Sequence, residues 1–145
     1  MENDTGSMRF LPLDSEKSKA VYTRLRKVIE PKMCYNNVFH VVSHYQEKFF
    51  TGEWKVAYGF VSSAHPVFCR HCFLLDGGAV IDPTVFASGN PTEGRKYYVT
   101  KVFDELEEYL DAIAGEDNMP ALERFLLEQD AAAIQIAIEN GLLFI

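Results

Sequence analysis

The sequence predicts an α+β fold in a single domain, on three observations. Apolar residues recur at helical spacing as far as Phe49, alternate at strand spacing from Trp54, and return to helical spacing from Leu106. Turn residues separate these blocks: Thr51-Gly52, Ala64-His65-Pro66 and Asp76-Gly77-Gly78. With 145 residues, 48% of them hydrophobic, the chain can bury one sizeable core but is short for two. The core is expected over residues 10–101, with 1–9 disordered and 102–145 a helical extension.

Each element follows from local chemistry. Val21, Leu25, Val28 and Ile29 share one helical face, Asp14 or Ser15 can cap that helix and Pro31 stops it, which predicts a helix over 15–29. After the Pro31-Lys32-Met33 break, Val38, Val41, Val42, Tyr45 and Phe49 form the apolar face of a second helix over 35–50, beginning at or beside Cys34, with His40 and His44 on its polar face. Strands are expected over Trp54–Ser62, Phe68–Leu75 and Ala79–Ile81, with Tyr97–Val102 a further candidate. Leu106, Leu110 and Ile113, then Leu122, Phe125 and Leu126, then Ile134, Ile138 and Leu142 restore the helical period, with Gly115 and Gly141 as stops. Leu142-Leu143-Phe144-Ile145 is expected to pack into the core.

Composition narrows the classes of function. The net charge of -7 is concentrated in residues 102–145, which hold 11 acidic side chains and 1 basic one; no basic stripe is left for a phosphate backbone, so nucleic acid is not an expected partner. The acidic helices read as a solvated face, or as a surface for a basic protein partner. No apolar run reaches the roughly 18 residues of a membrane span, and the polar start MENDTGSMRF lacks the pattern of a signal peptide, so a cytoplasmic protein is expected. Three cysteines, two of them only three positions apart, suit free thiols rather than a disulfide framework.

Cys34 opens a helix, where free N–H groups and the helix dipole favour a thiolate. Asp76-Gly77 is a preferred type I′ hairpin pair, and as a two-residue loop it would pair Leu75 with Gly78 and, in the same register, His71 with Asp82. Directly opposed side chains share a face about 4.5–5.5 Å apart at Cβ, so the carboxylate could hold one imidazole nitrogen while the other faces a thiol. Cys34, His71 and Asp82 are therefore the candidate catalytic residues.

The string His71-Cys72-Phe73-Leu74-Leu75-Asp76-Gly77-Gly78-Ala79-Val80-Ile81-Asp82-Pro83-Thr84 resembles the His-Ala-Trp, Asp-Gly, Val-Ile-Asp-Pro-Thr pattern of small papain-like, transglutaminase-like proteins, and Cys34-Tyr35-Asn36-Asn37 resembles their nucleophile segment. The resemblance spans about residues 31–85. It implies N-terminal helices packed on a small antiparallel sheet and a Cys-His-Asp triad acting on a protein, peptide or small amide. Hydrolysis, deamidation and transamidation all remain open. Cys72-Phe73 stands where the family has Ala-Trp, and no Gln precedes Cys34 as the oxyanion donor of papain-type peptidases. That donor would be the Cys34 backbone N–H, with Asn36, Asn37 or Tyr58 as candidates to assist it or bind substrate. No cofactor or metal is implied. A non-enzymatic interaction module of the same fold is the alternative, and a zinc site built from His65, Cys69, His71 and Cys72 is a weaker one, because alternation along a strand turns Cys72 away from Cys69 and His71.

Overall fold

The computed structural model describes residues 10–64 and 67–115 and, beyond them, Gln135, Ile138, Glu139, Gly141, Leu143 and Phe144. The order is β1 (Phe10–Leu11), α1 (Ser15–Leu25), α2 (Cys34–His44), α3 (Gln46–Phe50), β2 (Trp54–Ala64), β3 (Val67–Asp76), β4 (Ala79–Ile81), α4 (Thr84–Ser88), β5 (Lys96–Phe103), α5 (Leu106–Gly115) and β6 (Leu143–Phe144). This is the α+β class expected. Among the described residues, no helix is long and apolar enough to cross a membrane.

Asp14 caps α1 by accepting from the Lys17 N–H. The helix ends at Leu25, four residues before the expected limit. Val28 and Ile29 both donate to the Leu25 carbonyl, a tightened last turn that still buries Ile29; Pro31 then disfavours helical dihedrals at Glu30. The expected 35–50 helix is two helices. Tyr45 leaves helical geometry between them, at φ -127° and ψ 38°, and its ring packs on Trp54 with centroids 5.2 Å apart.

The antiparallel sheet has the order β1-β5-β2-β3-β4, and β6 adds in parallel to β3. The anticipated strand near Tyr97 is β5, extended to Phe103 and paired with both β1 and β2. A bulge opposite Tyr58 and Gly59 increases the local twist. Gly59 permits it: a Cβ there would sit 2.0 Å from the Tyr98 carbonyl oxygen. The N-terminal segment then reaches from one edge of the sheet to the other. After β1 pairs with β5, Val80 donates to Pro12 and Asp14 donates back to Val80, so the chain that flanks β5 also flanks β4. The sheet is thereby curled and its two ends are drawn together.

Two apolar clusters occupy opposite faces. Val56, Tyr58, Cys72 and Leu74 meet α1 and α2 through Val21, Leu25, Val38, Val41 and Val42. Ala57, Val61, Phe73, Val80 and Tyr97 form the other cluster, covered by Leu11 and Leu13.

The hairpin register differs from the expectation. Asp76 stays in β3 and pairs with Ala79, Leu75 with Val80 and Leu74 with Ile81, so Gly77-Gly78 is the loop and Gly77 takes φ +63°. Asp76 is held in the strand by an ion pair with Lys17. At the other end of the chain, Leu143–Phe144 form a strand on β3 where a helical extension is expected. The expectations for 1–9 and for Leu122, Phe125, Leu126, Ile134, Leu142 and Ile145 lie outside the described residues.

Candidate active site

Cys34 is the first residue of α2, and no side chain caps that helix. Its first intrahelical bond is Asn37 N–H to Met33. The backbone N–H groups of Cys34, Tyr35 and Asn36 precede that bond, so they have no acceptor within the helix and concentrate the positive end of its dipole beside the thiol.

The loop ahead of Cys34 is clasped by Asn37. Its side-chain oxygen accepts from the Glu30 N–H at 3.0 Å, and its amide donates to the Glu30 carbonyl at 2.8 Å and to Thr84 Oγ1 at 2.9 Å. Both amide hydrogens are spent on these bonds, so Asn37 is a structural clamp and not the oxyanion donor that its position suggests. Inside the clasped loop, Lys32 is the one non-glycine residue with positive φ among the described residues, at 62°.

His71 and Asp82 meet although they are not directly opposed. Continuing the observed register places Asp82 opposite Phe73, one diagonal step from His71 and on the same face. A slip of two positions preserves the face, whereas a slip of one reverses it. The His71 Nε2–H donates to Asp82 Oδ2 at 2.9 Å. The ring also packs on Phe73 and Tyr97, with centroids 6.0 and 6.3 Å away.

Asp82 is 1% exposed. Its Oδ2 accepts a second bond from the Tyr97 hydroxyl at 2.6 Å, and the Arg95 guanidinium lies 3.9 Å away while donating to the Tyr97 oxygen at 3.0 Å. The Ser18 hydroxyl accepts the Asp82 backbone N–H at 2.9 Å. Burial raises the cost of ionising this carboxyl. The His71 charge and hydrogen bond, the Tyr97 bond and the Arg95 charge outweigh it and hold the pKa below the ordinary value. Burial likewise opposes protonation of His71, but the Asp82 carboxylate with its hydrogen bond, and then the neighbouring Cys34, prevail and push the imidazole up to about 10. Tyr97 is pushed up by burial and by the neighbouring Asp82 charge, so it serves as a donor.

The Cys34 thiol lies near enough to the His71 ring to raise its pKa, beside the hydrogen-bonded chain that runs from His71 to Asp82, Tyr97 and Arg95. Nε2 is taken by Asp82, so Nδ1 is the ring nitrogen left to face a thiol. Cys34 belongs to the helix-side cluster, while His71 packs on side chains of the opposite face. Contact between them requires an open sheet edge. β3 supplies one: β4 pairs only with Leu74–Asp76 and β6 only with Val67–Phe68, leaving 69–73 without a strand on that side among the described residues.

Cys34 and His71 line a cleft of about 490 Å³ with Thr84, Arg95 and the exposed Cys69, within the usual size range of small-ligand sites. Asn36, Asn37 and Tyr58 do not line it. Tyr58 is 1% exposed under the helices and bonds the buried Cys72 thiol, so it is a core residue and not a substrate ligand. Cys72 faces that core while Cys69 and His71 border the cleft, and no three metal-binding side chains converge among the described residues. His65 lies outside them. His44 is exposed, and its Nδ1 contacts the His40 carbonyl at 2.8 Å.

Tyr97, Arg95 and Ser18 escape the sequence reading. Tyr97 alternates like any sheet residue, Ser18 lies inside a helix and Arg95 in a turn. Only the polar character of Ser18 on an otherwise apolar helix face hints at a buried partner. Compared with protein-family models, curated proteins and solved structures, the chain matches none of them.

Proposed function

We propose that this protein is a cysteine-nucleophile acyl-transfer enzyme with a papain-like, transglutaminase-like core, acting on an amide-bearing protein, peptide or small molecule. The observation that carries the reading is the buried His71–Asp82 pair sharing a cleft with Cys34. The thiol sits at an uncapped helix start, its imidazole neighbour is oriented by a buried carboxylate, and that residue is itself fixed by Tyr97 at the carboxylate and by Ser18 at the backbone N–H.

An imidazole that remains protonated up to about pH 10 has no lone pair with which to take the thiol's proton. The competent form is then the Cys34 thiolate paired with the His71 imidazolium. The thiolate attacks the carbonyl carbon, and the oxyanion is received by the Cys34 backbone N–H and its neighbours on α2. On collapse the C–N bond breaks, the thioester keeps the acyl group, and the His71 proton leaves on the amine. Neutral His71 then takes a proton from water or an acceptor amine, whose attack frees Cys34. Asp82 remains ionised throughout, orienting the ring and stabilising its charge.

The test is to map alkylation by iodoacetamide near neutral pH by mass spectrometry. Cys34 is expected to react at least about tenfold faster than Cys72 and Cys69, because imidazolium and helix start both favour its thiolate. Preferential labelling at either other cysteine removes Cys34 as the nucleophile.

A further inference from the structure

The charge of the cleft is opposite to that of the chain. The protein holds 21 acidic side chains against 14 Lys and Arg. The described residues lining the cleft include Lys32, Arg70 and Arg95, together with His71, and no carboxylate. Asp82 lies beneath the cleft wall, and part of the Arg95 charge is used there at 3.9 Å. Lys32 has no ion-pair partner among the described residues, and its side chain lies two positions ahead of the nucleophile.

The backbone supports the same direction. Lys32 occupies a left-handed conformation that side-chain-bearing residues rarely adopt, and the three Asn37 bonds hold the loop around it. The clasp thereby fixes the path of the loop that brings Lys32 to the wall of the cleft.

We infer that the acyl substrate carries a negative charge close to the scissile carbonyl, a carboxylate or a phosphate, received by Lys32 with Arg95 adding positive field. This rests on the reading of Cys34 as the nucleophile. A cleft lined by one sign of charge raises the local concentration of the opposite ion and its encounter rate, and it disfavours neutral or cationic competitors.

Two alkylating agents of nearly the same size test it: anionic iodoacetate and neutral iodoacetamide. The ratio of their rate constants at Cys34, divided by the same ratio for N-acetylcysteine, removes the intrinsic reactivity of each reagent. In about 10 mM salt this normalised ratio is expected to exceed unity by about fivefold, and to fall within about twofold of unity in about 0.5 M salt. Lys32→Glu should bring it to unity or below at low salt, with Lys32→Gln between. Slowing of iodoacetamide labelling by succinamate, and not by neutral propionamide, assigns the anion as a carboxylate; slowing by inorganic phosphate alone assigns a phosphate. A normalised ratio of unity in the unaltered protein at low salt overturns the inference, as does a raised ratio that persists in Lys32→Glu. Should Lys32→Glu fail to fold, Lys32→Gln decides: a low-salt ratio as high as that of the unaltered protein overturns the inference. Fast iodoacetamide labelling of Cys34 without the iodoacetate preference refutes only the substrate class, whereas slow labelling by both reagents refutes the nucleophile itself.

Discussion

Two of the clefts that indent the described surface differ in almost every property. The Cys34 cleft, about 490 Å³, has cationic walls and reaches the buried His71–Asp82 pair. The second, about 670 Å³, runs between α3 and α5. Phe49, Phe50, Leu106 and Leu110 form its apolar part, and Asp104, Glu105 and Glu107 rim it beside Lys55. Phe50 is 73% exposed there. The larger hollow has no cysteine or histidine in its lining, and its acidic groups are exposed, Lys55 pairing with Asp104 at 3.2 Å. In the smaller one, side chains from α2, β3, the end of β4 and the start of β5 converge on one carboxylate oxygen and one ring. Volume therefore does not locate the chemistry; convergence of desolvated, mutually oriented groups does.

The largest effect expected from breaking this contrast is at His71. His71→Ala should slow Cys34 alkylation about 100-fold near neutral pH, since it removes the cation that stabilises the thiolate. Asp82→Asn keeps the shape but loses the charge behind the imidazolium, and should slow it by about tenfold; Tyr97→Phe, which removes one of the bonds to Asp82 Oδ2, by about threefold. Pseudo-first-order labelling, with circular dichroism to verify folding, gives all three. Equal rates in all variants would make the cleft as inert as its acidic counterpart.

A smaller effect is expected in the pH dependence of stability. His71 binds its proton more tightly folded, about 10, than at the ordinary 6.5. The stabilisation is complete below pH 6.5 and is lost as pH rises through 10, so the unfolding free energy should decline across that window. Asp82 acts in the opposite sense: its contribution is present above the ordinary 3.8 and is lost as pH falls through its lowered folded value. Cys72, raised by burial from 9.0, adds a decline of the same sign as that of His71 at higher pH. Urea titrations between pH 6.5 and about 8.5 in a Cys34→Ser background, where no thiol shares the proton balance of the ring, isolate the imidazole, and adding His71→Ala should flatten the slope there. An unchanged slope would mean that the imidazole is not held protonated by Asp82.

The smallest effect belongs to the other cleft. The double variant Glu105→Gln, Glu107→Gln should change Cys34 alkylation by less than about twofold, because exposed charges beyond a Debye length are screened. A loss approaching that of His71→Ala would show that the acidic groove shapes the Cys34 cleft.

The His71–Asp82 contact shows how a sequence reading can reach a true neighbour through a wrong register. Asp76-Gly77 is a strong turn dipeptide, yet Asp76 pairs with Ala79 and is fastened to Lys17 on α1. The resulting displacement is two positions, an even number, so the pair moved from direct to diagonal opposition without changing face. Asn37 is the converse case. Its position beside Cys34 suggested chemistry, while its amide was already committed to Glu30 and Thr84.

What the sequence determined alone is whatever depends on near neighbours: a helix opening at Cys34, alternating strands from Trp54, the α+β order and a tight hairpin that keeps His71 and Asp82 on one face. Periodicity, proline and glycine act over a few residues, so they are legible without the fold. The tertiary structure decided what depends on distant parts of the chain. β6 forms because β3 offers an open edge, which no property of Leu143–Phe144 announces. Tyr97 and Arg95 reach Asp82 although β5 and β4 are separated by two strands in the sheet. That approach depends on the bulge at Gly59 and on an N-terminal segment that flanks both β5 and β4, a curvature produced by hydrogen bonds between residues as far apart as Pro12 and Val80.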